Sequence, residues 1–176
     1  MSVSASGGTV AETGASALRK YLLVQALGGA VFNFVLNGAI AWLMFGHAPP
    51  QPIWARGPSV GSDAIGTSFF LPLITSLVLG AVVRRHVRGG HVSTQTLTGA
   101  FAKFPRGRLG RGALIGFACA LTVGPASVFS LRALGFAALD GLQMTAFKAV
   151  YTFVLAGFVS PLIAYLALDD RHGSSG

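Results

Sequence analysis

Four long apolar stretches, separated by shorter polar segments, dominate the chain. At about 1.5 Å of rise per residue, each is long enough to cross the hydrocarbon core of a bilayer as a helix. A transmembrane barrel would need short segments of alternating apolar and polar residues, and these stretches do not alternate. The pattern therefore predicts an all-α fold, an integral membrane four-helix bundle, with spans at about 21–45, 65–83, 112–131 and 142–168.

The composition agrees with a membrane protein. Of 176 residues, 52% are hydrophobic and only 10% are charged, whereas about a quarter of the residues in soluble domains are charged. Residues 1–20 are rich in Ser, Gly, Thr and Ala, which predicts a disordered tail before the four-span domain of residues 21–168. Residues 169–176 form a second short tail.

The distribution of Lys and Arg predicts the orientation of the chain. The middle loop, residues 84–111, carries seven of the 13 basic residues and no acid. By the positive-inside rule this loop and both termini are cytoplasmic, which predicts a multi-pass protein of the cell inner (plasma) membrane. The expected partners of this loop are anionic lipid head groups. Nucleic acid is not expected, because the loop has no recognition motif.

Small residues recur every fourth position in two of the spans, and such ridges let helix backbones approach closely in lipid. They predict a compact bundle, a homo-oligomer or docking on a larger membrane complex, and the pattern does not separate these three. The helix-packing candidates are Gly29 in the first span and Gly112, Gly116 and Gly124 in the third.

A weak internal repeat is visible at an offset of 81 residues, where residues 77–82 align with residues 158–163 and Phe70 aligns with Tyr151. A true repeat would make the protein two helical hairpins of the same orientation, related by an axis along the membrane normal. Chance similarity between two apolar helices is the alternative.

Polar residues of different spans fall at similar depths. Asn37 lies roughly 12 Å and Lys148 roughly 9 Å from the outer ends of their spans, counted at about 1.5 Å per residue. One interpretation is that Lys148 extends to the head groups while the asparagines bond helix to helix. The other is a small polar cavity for an anionic or polar ligand, with Asn33, Asn37, Lys148 and Thr152 as its lining. Asp63 is assigned to the first loop, so no span contains a carboxylate.

Enzyme signatures are missing from the sequence, since it has no HExxH, GxSxG or P-loop motif and no pair of acids. We therefore expect no enzyme activity, no cofactor and no metal. The functional expectation is a structural or accessory membrane protein. The alternative is a small transporter or channel for an anionic or polar solute or lipid, which requires a cavity that reaches Lys148 or the two asparagines.

Several short motifs accompany these features. They are the Asn33, Asn37 and Trp42 spacing, the run 71–73 (Leu-Pro-Leu) with Arg84 and Arg85, and Lys148 with the run 160–162 (Ser-Pro-Leu). Together they resemble small bacterial four-span membrane proteins of no assigned function. The resemblance covers residues 21–168 and implies no activity, cofactor or catalytic residue.

Overall fold

The computed structural model describes residues 6–169, with side chains from residue 14 onward. Its four helices are α1 (Ser6–Phe45), α2 (Val60–Arg88), α3 (Arg108–Ala133) and α4 (Gly141–Ala167). All four are long and apolar enough to span a membrane. The predicted all-α four-helix membrane bundle is therefore confirmed. The short elements between the helices are β1 (Gln51–Pro52), η1 (Gly99–Lys103) and β2 (Ala138–Leu139).

The helices extend beyond the predicted spans. Residues 6–20, which the sequence assigned to a disordered tail, belong to α1. Good helix formers such as Ala17, Leu18 and Lys20 let the helix of the first span continue outward. Residues 1–5 and 170–176, in the two predicted tails, lie outside the described residues. Arg84, Arg85 and the other basic residues at the ends of 84–111 are helical, so the middle loop shortens to residues 89–107.

The packing order differs from the order of the helices in the chain. α1 packs on α4, α4 on α2, and α2 on α3, so α2 and α4 are central and run parallel to each other. In the described part of the chain, α1 and α2 hardly touch although one hairpin loop joins them. The two hairpins therefore interlock, and each outer helix packs on the second helix of the other hairpin.

The contacts support the internal repeat. Both α2 and α4 begin with a capping box, Ser59 with Ser62 and Asp140 with Gln143, and each residue of one box is 81 positions from its counterpart. The first helix of each hairpin packs on the second helix of the other hairpin, so the two hairpins make the same kind of helix contact. Such equivalent helix contacts are what a repeat would require.

The predicted packing glycines lie where helices cross. A Cβ on Gly116 would stand 2.5 Å from the carbonyl oxygen of Phe69, and one on Gly112 would stand 2.9 Å from the Cα of Leu73. At Gly124 the nearest atom would be the Ser68 Oγ, and at Gly29 it would be the Ser160 Oγ. Since a side chain at these positions would separate the backbones, the glycines hold α3 on α2 and α1 on α4.

Contacts between loops close both ends of the bundle. At one end, called the paired-loop end, β1 and β2 pair antiparallel and join the first and third loops. At the other, called the middle-loop end, the backbone N–H of Gln95 donates to the carbonyl of Leu168. Leu97 of the middle loop is buried in the core cluster that includes Leu166. Both ends thus tie one hairpin to the other.

Adjacent glycines on α1 allow a matched test of the α1–α4 contact. We expect Gly29→Ala to destabilise the protein by about 1–3 kcal/mol, because the added methyl overlaps Ser160. Gly28→Ala is the control, since a Cβ there has no atom within 4 Å and alanine favours the helix. The measurement is the thermal unfolding midpoint in nanodiscs. Ser160→Gly should rescue Gly29→Ala, and equal midpoints for the two alanine variants would refute the assigned contact.

Candidate functional site: a polar groove between two helices

A buried ion pair joins the two central helices. The Nζ of Lys148 on α4 lies 2.5 Å from each carboxylate oxygen of Asp63 and 2.6 Å from the Oγ1 of Thr67, both on α2. The Lys148 side chain is only 9% exposed and that of Asp63 is 26% exposed. An ammonium has three N–H donors, and the carboxylate and the hydroxyl supply acceptors for them. The pair compensates both charges inside the span.

The position of Asp63 corrects the sequence analysis. Asp63 lies in the first turn of α2, not in the first loop, so one candidate span does contain a carboxylate. The helix starts earlier than hydropathy suggests because Ser59 caps it: its Oγ accepts the backbone N–H of Ser62, which forms the capping box. A serine followed by a second serine three residues later was the available signal. A hydropathy profile does not show this start of α2, since Asp63 lowers the mean hydropathy there.

The predicted ligand-binding residues come together around the α1–α4 contact. The Nδ2 of Asn37 donates to the Oδ1 and the backbone carbonyl of Asn33, both at 3.1 Å. The single O–H of Thr152 is shared between the carbonyl of Asn33, 3.1 Å from Oγ1, and that of Lys148, 2.9 Å away. The four residues thus form one layer near the paired-loop end. Thr152 is fully buried, and the asparagines are half-buried.

A groove of about 670 Å³ lies between α1 and α2, within the usual size range of ligand pockets, about 300–1,000 Å³. From Gln25 to Ile40 on α1 and from Asp63 to Val82 on α2, its walls extend roughly 22 and 28 Å at about 1.5 Å per residue. Phe32 and other apolar side chains at its rim are exposed. The groove therefore opens sideways, toward the region that lipid occupies around a spanning helix.

The groove is polar at one end and largely apolar along the rest. Asn33, Asn37, Asp63 and Thr67 line it near the paired-loop end. Toward the middle-loop end its α2 wall consists mostly of Ile74, Val78, Leu79 and Val82. The polar residues there are Gln25 of α1, Thr75 of α2 and Ser160 of α4. Two of the predicted site residues, Lys148 and Thr152, lie behind this lining. A molecule in the groove therefore meets the carboxylate before it meets the ammonium.

One position of α2, Gly66, leaves open space in the groove. At the offset of 81 residues, Gly66 of α2 corresponds to Phe147 of α4. The Phe147 ring stacks on Tyr151 with centroids 5.5 Å apart, and the Tyr151 hydroxyl hydrogen-bonds the Ser68 Oγ. A Cβ on Gly66 would have no atom within 4 Å. Sequence reasoning missed Gly66 because nothing marks a glycine as open space until its surroundings are known.

A hydroxyl without a partner lies in the floor of the groove. The Ser160 Oγ of α4 is buried and has no hydrogen-bond partner among the described residues. Ser160 lines the groove beside Gly29. Because a buried hydroxyl without a partner is costly, this atom is available to a polar group of a bound molecule.

Comparisons with protein-family models, with curated proteins and with solved structures gave no match. The chemistry of the groove therefore carries the functional argument.

The ion pair can be tested with a double-mutant cycle. Asp63→Asn and Lys148→Met should each destabilise the protein by up to about 3 kcal/mol, because each leaves one charge without its partner inside the span. The double variant should lose less than the sum of the single losses, since neither charge then remains. Thermal unfolding in nanodiscs measures the three values, and strict additivity would show that the pair is not coupled.

Proposed function

We propose that this multi-pass membrane protein binds one amphiphilic, lipid-like molecule in the groove between α1 and α2. The observation that carries the proposal is the combination of a lateral opening, a polar end and an apolar length in one groove. Its length, roughly 22–28 Å at about 1.5 Å per residue, is close to the hydrocarbon thickness of a bilayer, about 30 Å. A molecule with a polar head and an acyl chain matches both the length and the polarity gradient.

This proposal follows the alternative named from sequence, a small transporter or channel for a polar solute or lipid. That alternative required a cavity reaching the asparagines, and the groove reaches Asn33 and Asn37. An aqueous channel is not supported by the same groove, because its side opens between two helices rather than along the bundle axis. The proposed activity is binding or carrying of an amphiphile, without chemical conversion and without a cofactor.

The expectation of a structural or accessory protein remains the second candidate. A specific observation bears on it: the four packing glycines contact helices of the same chain. Self-association or docking on a larger membrane complex would therefore need other faces, such as the exposed apolar surface of α1 around Leu43. Surrounding lipid would cover that apolar surface as well as a protein partner would.

Filling the groove separates the two candidates. Gly66→Phe introduces the side chain that the other half of the repeat carries as Phe147, and open space is available for it. We expect this variant to fold and to lose binding of a photoreactive monoacylglycerol in nanodiscs, because the ring occupies the groove. Gly66→Ala is the matched control and should retain labelling. An accessory protein that uses no groove would be labelled equally in both variants.

We propose further that the middle-loop end is cytoplasmic and contacts anionic lipid, as the charge distribution predicts. The support is a concentration of like charge at the ends of α2 and α3, where Arg84 lies close enough to Arg88 and Arg108 for their charges to interact. Arg85 and Arg88 are exposed there. Anionic head groups would offset this repulsion in the inner membrane.

Cysteine labelling tests the orientation. The native Cys119 is first replaced by serine, and single cysteines are then introduced as Arg56→Cys in the first loop or Arg106→Cys in the middle loop. In intact cells, a membrane-impermeant maleimide should label the first variant and not the second, which should react only after permeabilisation. The reverse pattern would contradict the proposed orientation.

A further inference from the structure

The ion pair determines which head group the groove can accept. From sequence, Lys148 predicted an anionic or polar ligand, because a lone ammonium in a span attracts negative charge. In the structure that ammonium contacts both carboxylate oxygens of Asp63 and the hydroxyl of Thr67. Lys148 also lies behind the groove lining, to which Asp63 and Thr67 belong, so its charge is neutralised before a phosphate or carboxylate in the groove could reach it.

The site is also electrically neutral as it stands. Asp63 contributes one negative charge and Lys148 one positive charge, and these two residues are the charged ones in contact at the polar end. An anionic head would meet the Asp63 carboxylate, which lies nearer the groove than the ammonium. A cationic head would add a second positive charge beside Lys148. In a medium of low dielectric constant, either addition leaves a charge without compensation.

Most of the hydrogen-bonding positions that are still unused at the polar end are acceptors. A carboxylate has about four lone-pair sites, and Lys148 uses one on each oxygen of Asp63. Among the described hydrogen bonds, none reaches the Oδ1 of Asn37. The Nδ2 of Asn33 donates once, to the carbonyl of Gly29, so one of its two N–H groups remains available. A group that donates hydrogen bonds and also accepts one would complement this set.

We propose that the groove selects an amphiphile with an uncharged, hydroxyl-bearing head, such as a monoacylglycerol or a glycolipid. Its hydroxyl groups donate to Asp63 and Asn37 and accept from Asn33, and its chain lies along Ile74 and Val78. The proposal rests on the amphiphile-binding function proposed above. In this assignment Asp63 is the residue that contacts the head, and Lys148 is a positioning residue that holds and neutralises the carboxylate.

The test compares three amphiphiles with the same dodecyl chain and different heads: a glucoside, a phosphate and a trimethylammonium. Each competes with a pyrene-labelled alkyl glucoside for the purified full-length protein in nanodiscs of uncharged lipid. For the native protein, we expect the glucoside to compete at least about tenfold more effectively than either charged compound. Equal or better competition by a charged compound would overturn the proposal.

Two variants should change the charge preference in opposite directions. Asp63→Asn leaves the Lys148 ammonium without its carboxylate, so the phosphate should become the best competitor. Lys148→Met leaves the Asp63 carboxylate without its ammonium, so the trimethylammonium compound should become the best. The double variant has no charge and is the control, since it should again prefer the glucoside. If one single variant fails to fold, the other provides the test. A purely structural ion pair would leave the preference unchanged in every variant that folds.

Gly66→Phe separates a failure of this inference from a failure of the proposed function. If probe binding is the same in Gly66→Phe and Gly66→Ala, the amphiphile does not occupy the groove and both proposals fall. If Gly66→Phe abolishes binding while the native protein prefers a charged head, the groove binds amphiphiles and only the inferred head-group chemistry is wrong.

Discussion

The contact between α2 and α4 is the interaction on which the rest of the structure depends. These two parallel helices form the centre of the bundle, and each carries one outer helix. The ion pair of Asp63 and Lys148 lies in their contact near the paired-loop end, and the Ser68–Tyr151 hydrogen bond joins the same helices nearby. In lipid, contacts between apolar helix faces discriminate poorly between one helix partner and another. Polar contacts that must be satisfied fix the register of α2 on α4.

The two hairpins have equivalent helix starts and helix contacts, and they differ in the side chains between the helices. Capping boxes at Ser59 and Asp140 start the central helices at equivalent positions, and glycines let each outer helix pack closely on its central helix. On one side Phe147 and Tyr151 fill the core. On the other, Gly66 leaves space, and the groove between α1 and α2 results. The absence of a side chain at Gly66 thus contributes open space at that level of the groove.

The groove combines an apolar length with a polar end. Its apolar length continues the surrounding lipid, while Asn33, Asn37 and Asp63 provide a polar end inside the span. Polar groups at that depth are costly unless they have partners. Here Asp63 is paired with Lys148, and Asn37 donates to Asn33. A bound head group would enter a network that is already neutral, which explains why hydrogen bonding rather than charge would decide what binds.

The sequence alone determined the four helices, their all-α class and the glycines at which they pack, because these follow from the length, polarity and spacing of residues within one segment. It also identified Lys148, Asn33 and Asn37 as unusual, since polar residues stand out in apolar spans. The partner of Lys148, the order in which the helices pack and the open space at Gly66 were decided only by the tertiary structure. Each of these depends on which segments of distant sequence lie side by side, and hydropathy along a single segment carries no information about its neighbours.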